Sequence, residues 1–330
     1  MSGGAATAPL LEVEALATHF FTRAGVVKAV DGVSFRLSKG EVMGLVGESG
    51  SGKSVTGFSL LGLVDPPGRI ASGAVRFEGQ NLVSMRPSQL RRLRGKRIAM
   101  VFQDPATTLN PVITIGEQMR MALEAHGVTG EQATRARSVA VLTRVGIPDA
   151  ARRLGAYPHE FSGGMRQRVA IAIALLHDPA LLIADEPTTA LDVSIQAQIL
   201  AEMKALVADL GMALIWISHD LATVSSLADK IAVMYAGRIV EAGPTAAVLR
   251  NPRHPYTRGL LDSLPARAEP GRDLVQIPGS TPLLLSLPPG CAFAPRCPRA
   301  DAACQVMPEL VTERLRQHRC HHPLGLEVAT

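Results

Sequence analysis

No apolar run in these 330 residues approaches the ~20 that a membrane-spanning helix needs. The longest, Val169 to Leu176, follows two arginines and reads as a core helix. Met1 to Leu16 has no positively charged start and carries Glu12 and Glu14, so a secretory leader is not expected. Neither sign of charge dominates: 34 Lys and Arg stand against 29 Asp and Glu, a net +5 with a pI near 9.3, which is common in solvated proteins. The dense basic run Arg91-Arg92-Leu93-Arg94-Gly95-Lys96-Arg97 has no interleaved aromatic residue. It therefore reads as a solvated helix face and not as a nucleic-acid surface. Together these absences predict a cytoplasmic chain that can still dock on a membrane protein. At this length the chain can bury one large core and hold a smaller domain beside it.

Gly47-Glu48-Ser49-Gly50-Ser51-Gly52-Lys53-Ser54 is a complete G-x-x-x-x-G-K-S phosphate loop. Glu41 to Val46 before it reads as a buried strand, and Val55 to Leu63 after it as a helix. Such a loop turns backbone N–H groups around phosphates at a helix N-terminus. Lys53 is expected to reach the β- and γ-phosphates of ATP, and the Ser54 hydroxyl to sit on Mg²⁺. Far downstream, the apolar strand Ala180 to Ala184 delivers Asp185 and Glu186. Asp185 is the expected second Mg²⁺ partner, and Glu186 the general base that polarises the attacking water.

Ser162-Gly163-Gly164 between these sites opens a predicted helix, with Ser162 as N-cap, apolar Val169, Ile173 and Leu176 at helical spacing, and Asp178-Pro179 as the stop. Its free N–H groups form an anion site with no phosphate of its own. The segment resembles the signature motif of ABC-transporter ATPases, usually Leu-Ser-Gly-Gly-Gln. This sequence departs from it at Phe161 and Met165, and Met165-Arg166-Gln167-Arg168 is similar to the peptide-importer branch. The remaining motifs follow in order. Gln103 after Ile98 to Phe102 matches the Q-loop glutamine that senses Mg²⁺ and the attacking water. Leu191-Asp192 looks like the D-loop. His219 after the strand Ala213 to Ser218 matches the switch histidine that contacts the γ-phosphate. Phe20 resembles the aromatic that stacks on adenine, with Phe21 as its competitor.

The resemblance implies an α/β fold: an ABC-type P-loop ATPase core over residues 11–250, with a helical subdomain at about 106–178. Before it lies a disordered stretch, 1–10. After it comes a loop-rich extension, 251–330, in which Asn251-Pro252-Arg253-His254-Pro255-Tyr256-Thr257 matches the linker of oligopeptide and dipeptide import ATPases. Val193 to Leu210 is expected to be an amphipathic helix through Ile195, Ile199, Met203, Leu206 and Leu210, and Ile231 to Val240 a hairpin across Ala236-Gly237. By resemblance the chain powers peptide import at the cytoplasmic face of the inner membrane, with nickel or another solute as the alternative cargo. Implied partners are a second ATPase subunit, more often a sister chain than a copy, whose ATP is capped by the Ser162-Gly163-Gly164 helix, two membrane-spanning permeases and an external binding protein. A soluble ABC ATPase acting on DNA or the ribosome is the rival reading. The long insertions or duplicated core it requires are not visible here.

All four cysteines, Cys291, Cys297, Cys304 and Cys320, lie in this tail, with five, six and fifteen residues between them. The spacing is not the C-x₂-C of zinc ribbons, and a cytoplasmic chain does not need a disulfide framework. Three readings stand open: a 4Fe–4S cluster, which some relatives imply, four free thiols, or zinc. His318, His321 or His322 could replace Cys320 as a ligand. A structural staple is favoured over a redox role, although a metal or redox sensor acting on the ATPase is a further reading.

Overall fold

The computed structural model describes residues 8–189, 191–265 and 275–325. The predicted disordered stretch, 1–10, falls mostly on residues 1–7, outside the described residues. By position 10 the chain is anchored, since Leu10 is buried and its carbonyl accepts the Glu78 N–H. The chain divides into two compact units.

The first unit draws on Met1–Ser38, Val42–Val83 and Ile217–Thr330. Its strand Leu11–Thr22 pairs antiparallel with Gly25–Leu37 on one edge and Gly68–Phe77 on the other. Leu11, Val13 and Leu16 point inward from it. The strands Val311–Glu313, Arg316–His318, Arg238–Pro244, Lys230–Tyr235 and Val42–Val46 lie side by side in that order. Only the last two of these run parallel. All five residues of Val42–Val46 are buried, as expected of a strand covered on both faces. The expected hairpin forms between Lys230–Tyr235 and Arg238–Pro244, with positive φ at both Ala236 and Gly237.

The second unit comprises Lys39–Glu41 and Ser84–Trp216. Ile98–Val101 pairs parallel with Leu181–Asp185, and the Ala213 N–H at the start of strand Ala213–Ser218 donates to the Ala180 carbonyl. Helices Ile115–Glu124, Glu131–Arg144 and Gly163–Ala174 occupy the stretch expected to be helical. The helix Val193–Leu210 buries Ile199, Met203, Leu206 and Val207, while Ile195 and Leu210 are only partly covered. Its inward face is therefore turned toward Val207. The basic run is only half helical. The helix Pro87–Leu93 stops there, and Gly95 at positive φ turns the chain toward the strand at Ile98. Among the described residues no helix is long and apolar enough to cross a membrane.

Candidate nucleotide site and cysteine cluster

The strand Val42–Val46 hands the chain to the phosphate loop, and the helix Lys53–Leu61 begins at its end. Gly52 caps that helix in the left-handed region, φ 102°, without any side-chain cap. A Cβ there would stand 2.2 Å from the Ala29 carbonyl oxygen, so glycine is required by both dihedral and space. Lys53 is buried, and its Nζ donates to the carbonyls of Gly47 at 2.8 Å and Glu48 at 3.0 Å. Ser51 is buried, Ser54 half-buried, and Ser49 and Gly50 are exposed. Phe20 is half-buried against Gly68, whereas Phe21 is more exposed and lies under the Arg69 guanidinium at 4.2 Å. His219 is exposed just past its strand, and Asp220 after it caps the helix Leu221–Leu227.

Glu48 departs from the expectation that every residue of the loop serves the nucleotide. Its amide donates to the Tyr256 hydroxyl at 2.8 Å and is not available to a phosphate. Its carboxylate takes a two-pronged contact from Arg296, Nη1 to Oε2 at 2.7 Å and Nη2 to Oε1 at 3.0 Å, and the Thr281 hydroxyl joins at 3.2 Å. Burial alone would push the Glu48 carboxyl up, but the Arg296 bond and charge, with Thr281 and Tyr256, hold it below its ordinary value. Burial pushes the Tyr235 and Tyr256 phenols up, keeping both neutral.

In the second unit, Asp185 is buried at the end of its strand. Glu186 follows at φ 43°, an uncommon conformation for a residue with a side chain and a form of strain that gathers at functional sites. Its Oε2 accepts Gln103 Nε2 at 3.3 Å and the Thr189 hydroxyl at 3.0 Å. The structure thus brings together the predicted base and the predicted sensor glutamine. Gln196, which the sequence did not single out, holds the turn before its helix by donating to the carbonyls of Thr188 and Leu191. An amide at the fourth position of a helix after a polar turn was the available signal.

Ser162 caps the helix Gly163–Ala174, its hydroxyl accepting the Met165 N–H at 3.3 Å. The unusual Phe161 is a buried anchor whose carbonyl accepts from Arg166 at 2.7 Å. Arg168 is buried too, paired with Glu202 at 2.7 Å and donating to the Val145 carbonyl. Ser162 itself stays exposed and Gly163 and Gly164 half-exposed.

All four cysteines line one cavity, together with His254, Phe293, His321 and His322. Gly290 permits this gathering. At φ 72°, a Cβ there would lie 2.3 Å from the Cys304 carbonyl oxygen, which accepts the Cys291 N–H. Burial pushes the thiols of Cys291 and Cys297 up, and that of Cys320 up to about 11. His254 Nδ1 accepts the Tyr256 N–H, so the neutral ring carries its proton on Nε2, a buried atom with no partner. Asp301, Cys304 and His322 also place one ligand atom each within 4.8 Å of one another. His318, weighed as a replacement ligand, is buried in the strand Arg316–His318 and does not line the cavity.

Residues 30–189 match the family model for the ABC transporter, and residues 240–304 that for the oligopeptide/dipeptide transporter C-terminal region. The chain is 49% identical over 304 residues to the oligopeptide transport ATP-binding protein OppD of Haemophilus influenzae, covering 92% of this chain and 94% of that one. It is 46% identical over 317 residues to the dipeptide transport ATP-binding protein DppD of Escherichia coli, covering 96% and 97%. A solved dimeric structure of the ATP-binding cassette MJ0796 with ADP and Pi superposes with a TM-score of 0.64 at 24% identity, over 71% of this chain and 98% of that one. That likeness is one of fold.

Proposed function

Because the chain belongs to the ABC transporter family, as an ATP-binding subunit of the oligopeptide/dipeptide type, we propose that it hydrolyses ATP to power peptide import across the cytoplasmic membrane. The observation that carries the reading is the 46–49% identity to peptide-transport ATPases through both the ATPase core and the C-terminal region.

In the proposed reaction Lys53 and the loop amides other than that of Glu48 hold the β- and γ-phosphates. By the family resemblance Ser54, Asp185 and Gln103 are the residues that would hold Mg²⁺, and a bound ion would neutralise the charge that develops on the transferred phosphoryl group. Glu186 takes the proton of the attacking water, and Gln103, bonded to it, orients that water. His219 contacts the γ-phosphate and Phe20 stacks on adenine. Each phosphate loop is closed by the Ser162-Gly163-Gly164 helix of a second ATPase subunit, and closure drives two membrane-spanning permeases fed by an external peptide-binding protein. In this reading the chain works peripherally on the cytoplasmic face.

For the tail cysteines this reading favours a 4Fe–4S cluster over zinc or free thiols. Four thiols share one cavity, and the unpartnered His254 Nε2–H is a donor suited to a bound sulfide. Anaerobically purified protein is expected to absorb near the visible range of iron–sulfur proteins, and zinc or iron content per chain decides among the three.

Uptake of labelled di-, tri- and pentapeptides by cells carrying the native protein or Lys53→Ala tests the main reading. Uptake lost in the variant supports peptide import, and the lengths affected define the subclass. Unchanged uptake of all three moves the cargo to nickel or another solute.

A further inference from the structure

Glu48 lies inside the phosphate loop, yet both of its carboxylate oxygens face Arg296, 248 residues away in the tail. A two-pronged arginine–carboxylate contact fixes direction as well as distance. Arg296 is only 7% exposed and cannot drift. Its Nε donates to the Pro278 carbonyl at 2.8 Å, its Nη1 lies 3.3 Å from the Tyr235 hydroxyl, and its guanidinium lies beside the Tyr235 and Phe293 rings. The tail region therefore grips Glu48 through its side chain, from Arg296 and Thr281, and through its main chain, from Tyr256. The Glu48 carbonyl is in turn an acceptor of Lys53 Nζ. A shift of Glu48 consequently moves the backbone against which the phosphate-binding ammonium is set. Arg296 also ends the short turn Ala294–Arg296, so its neighbour is Cys297, and the turn begins three residues after Cys291.

We propose that Arg296 is a positioning residue for nucleotide binding: through Glu48 it sets the shape of the phosphate loop, and it places that loop under the influence of the cysteine-bearing turn. The inference rests on the ATPase reading of the loop. It differs from a simple staple of the tail in what it predicts. A staple changes stability, whereas a positioning residue changes the affinity for nucleotide and the KM for ATP.

The test is titration of the full-length protein with a fluorescent ATP analogue, accompanied by thermal melting and by ATP hydrolysis in the assembled transporter. Arg296→Lys keeps the charge and most of the packing but loses the fork. We expect it to weaken nucleotide binding by about tenfold and to raise KM with kcat little changed. Glu48→Gln is expected to do the same, and the double variant to be no weaker than either single one, because both remove one contact. Cys297→Ser should weaken binding in the native background and not in the Arg296→Lys background. Nucleotide affinity within twofold of native for both single variants, whatever their melting temperatures, overturns the proposal, as do additive losses in the double variant. Equal losses from Cys297→Ser in both backgrounds overturn the link to the cysteines. Lys53→Ala separates this from the wider reading. Native binding in that variant overturns the nucleotide-binding role given to the phosphate loop, while lost binding there with unchanged Arg296→Lys condemns only the positioning role.

Discussion

The chain contains two glycine-rich turns that each open a helix, and they are built in opposite ways. The phosphate loop leaves its helix without a side-chain cap, tucks its lysine onto its own carbonyls, and is gripped from the tail. The signature turn has its own cap in Ser162, stays partly exposed, and is secured by neighbours within a few residues through Phe161 and Arg166. Both present helix N-terminal amides, the natural partners of phosphate. The difference lies in where the shape comes from. One loop is held by residues remote in sequence, and the other by residues within a few positions of it.

The comparison can be broken most severely at Lys53. Lys53→Ala should reduce ATP hydrolysis by at least about 10²-fold, since it removes a donor aimed at developing charge. A steady-state phosphate-release assay measures it, and near-native turnover would remove the phosphate loop from the chemistry. Glu186→Gln should cost about 10²- to 10⁴-fold in hydrolysis while nucleotide binding survives, because general-base catalysis is lost and the loop is untouched. Loss of binding in that variant would mean that Glu186 shapes the site and does not act as base. Ser162→Ala probes the self-sufficient turn. Losing the cap should cost about 1 kcal/mol, and Ser162→Gly only a few tenths, by chemical denaturation. Equal costs for the two would show that the hydroxyl does more than cap.

The smallest expected effect concerns acid. Glu48 titrates below its ordinary value when folded, so its pairing with Arg296 contributes fully above the unfolded pKa of 4.5 and is lost as pH falls through the lower folded value. The contribution of Glu48 to stability and nucleotide affinity should therefore be constant around neutral pH and weaken below about pH 4.5. Melting scans of native protein and Glu48→Gln should converge on the acid side. Curves that remain parallel to the lowest pH would deny the ion pair any role.

What was legible in the sequence was local. A run such as Gly47 to Ser54 announces itself because the turn, the glycines and the following helix depend on one another within eight positions. The strand Ala213–Ser218 and the hairpin around Ala236-Gly237 were likewise written in adjacent residues. The grip on Glu48 was not, because Tyr256, Thr281 and Arg296 lie 208 to 248 residues away and no periodicity links them. The gathering of four cysteines was only suggested, since their uneven spacing does not reveal that the Cys304 carbonyl meets the Cys291 amide. The strained backbone of Glu186 also left no trace, because nothing about a glutamate favours positive φ. The inward face of Val193–Leu210 was misjudged by part of a turn. Helical spacing is compatible with several stripes, and packing chose the one that includes Val207.

The 248-residue separation of Glu48 and Arg296 also sets a clock on biosynthesis. A ribosome adding about 5–20 residues per second needs roughly 10 to 50 s to travel from one to the other. Throughout that interval the nascent phosphate loop exists without the arginine that braces it. A chain cut short before its tail is translated would therefore carry every residue of the nucleotide motifs and lack the contacts that grip Glu48. The fold in this way makes the brace on the phosphate loop one of the last contacts the ribosome completes.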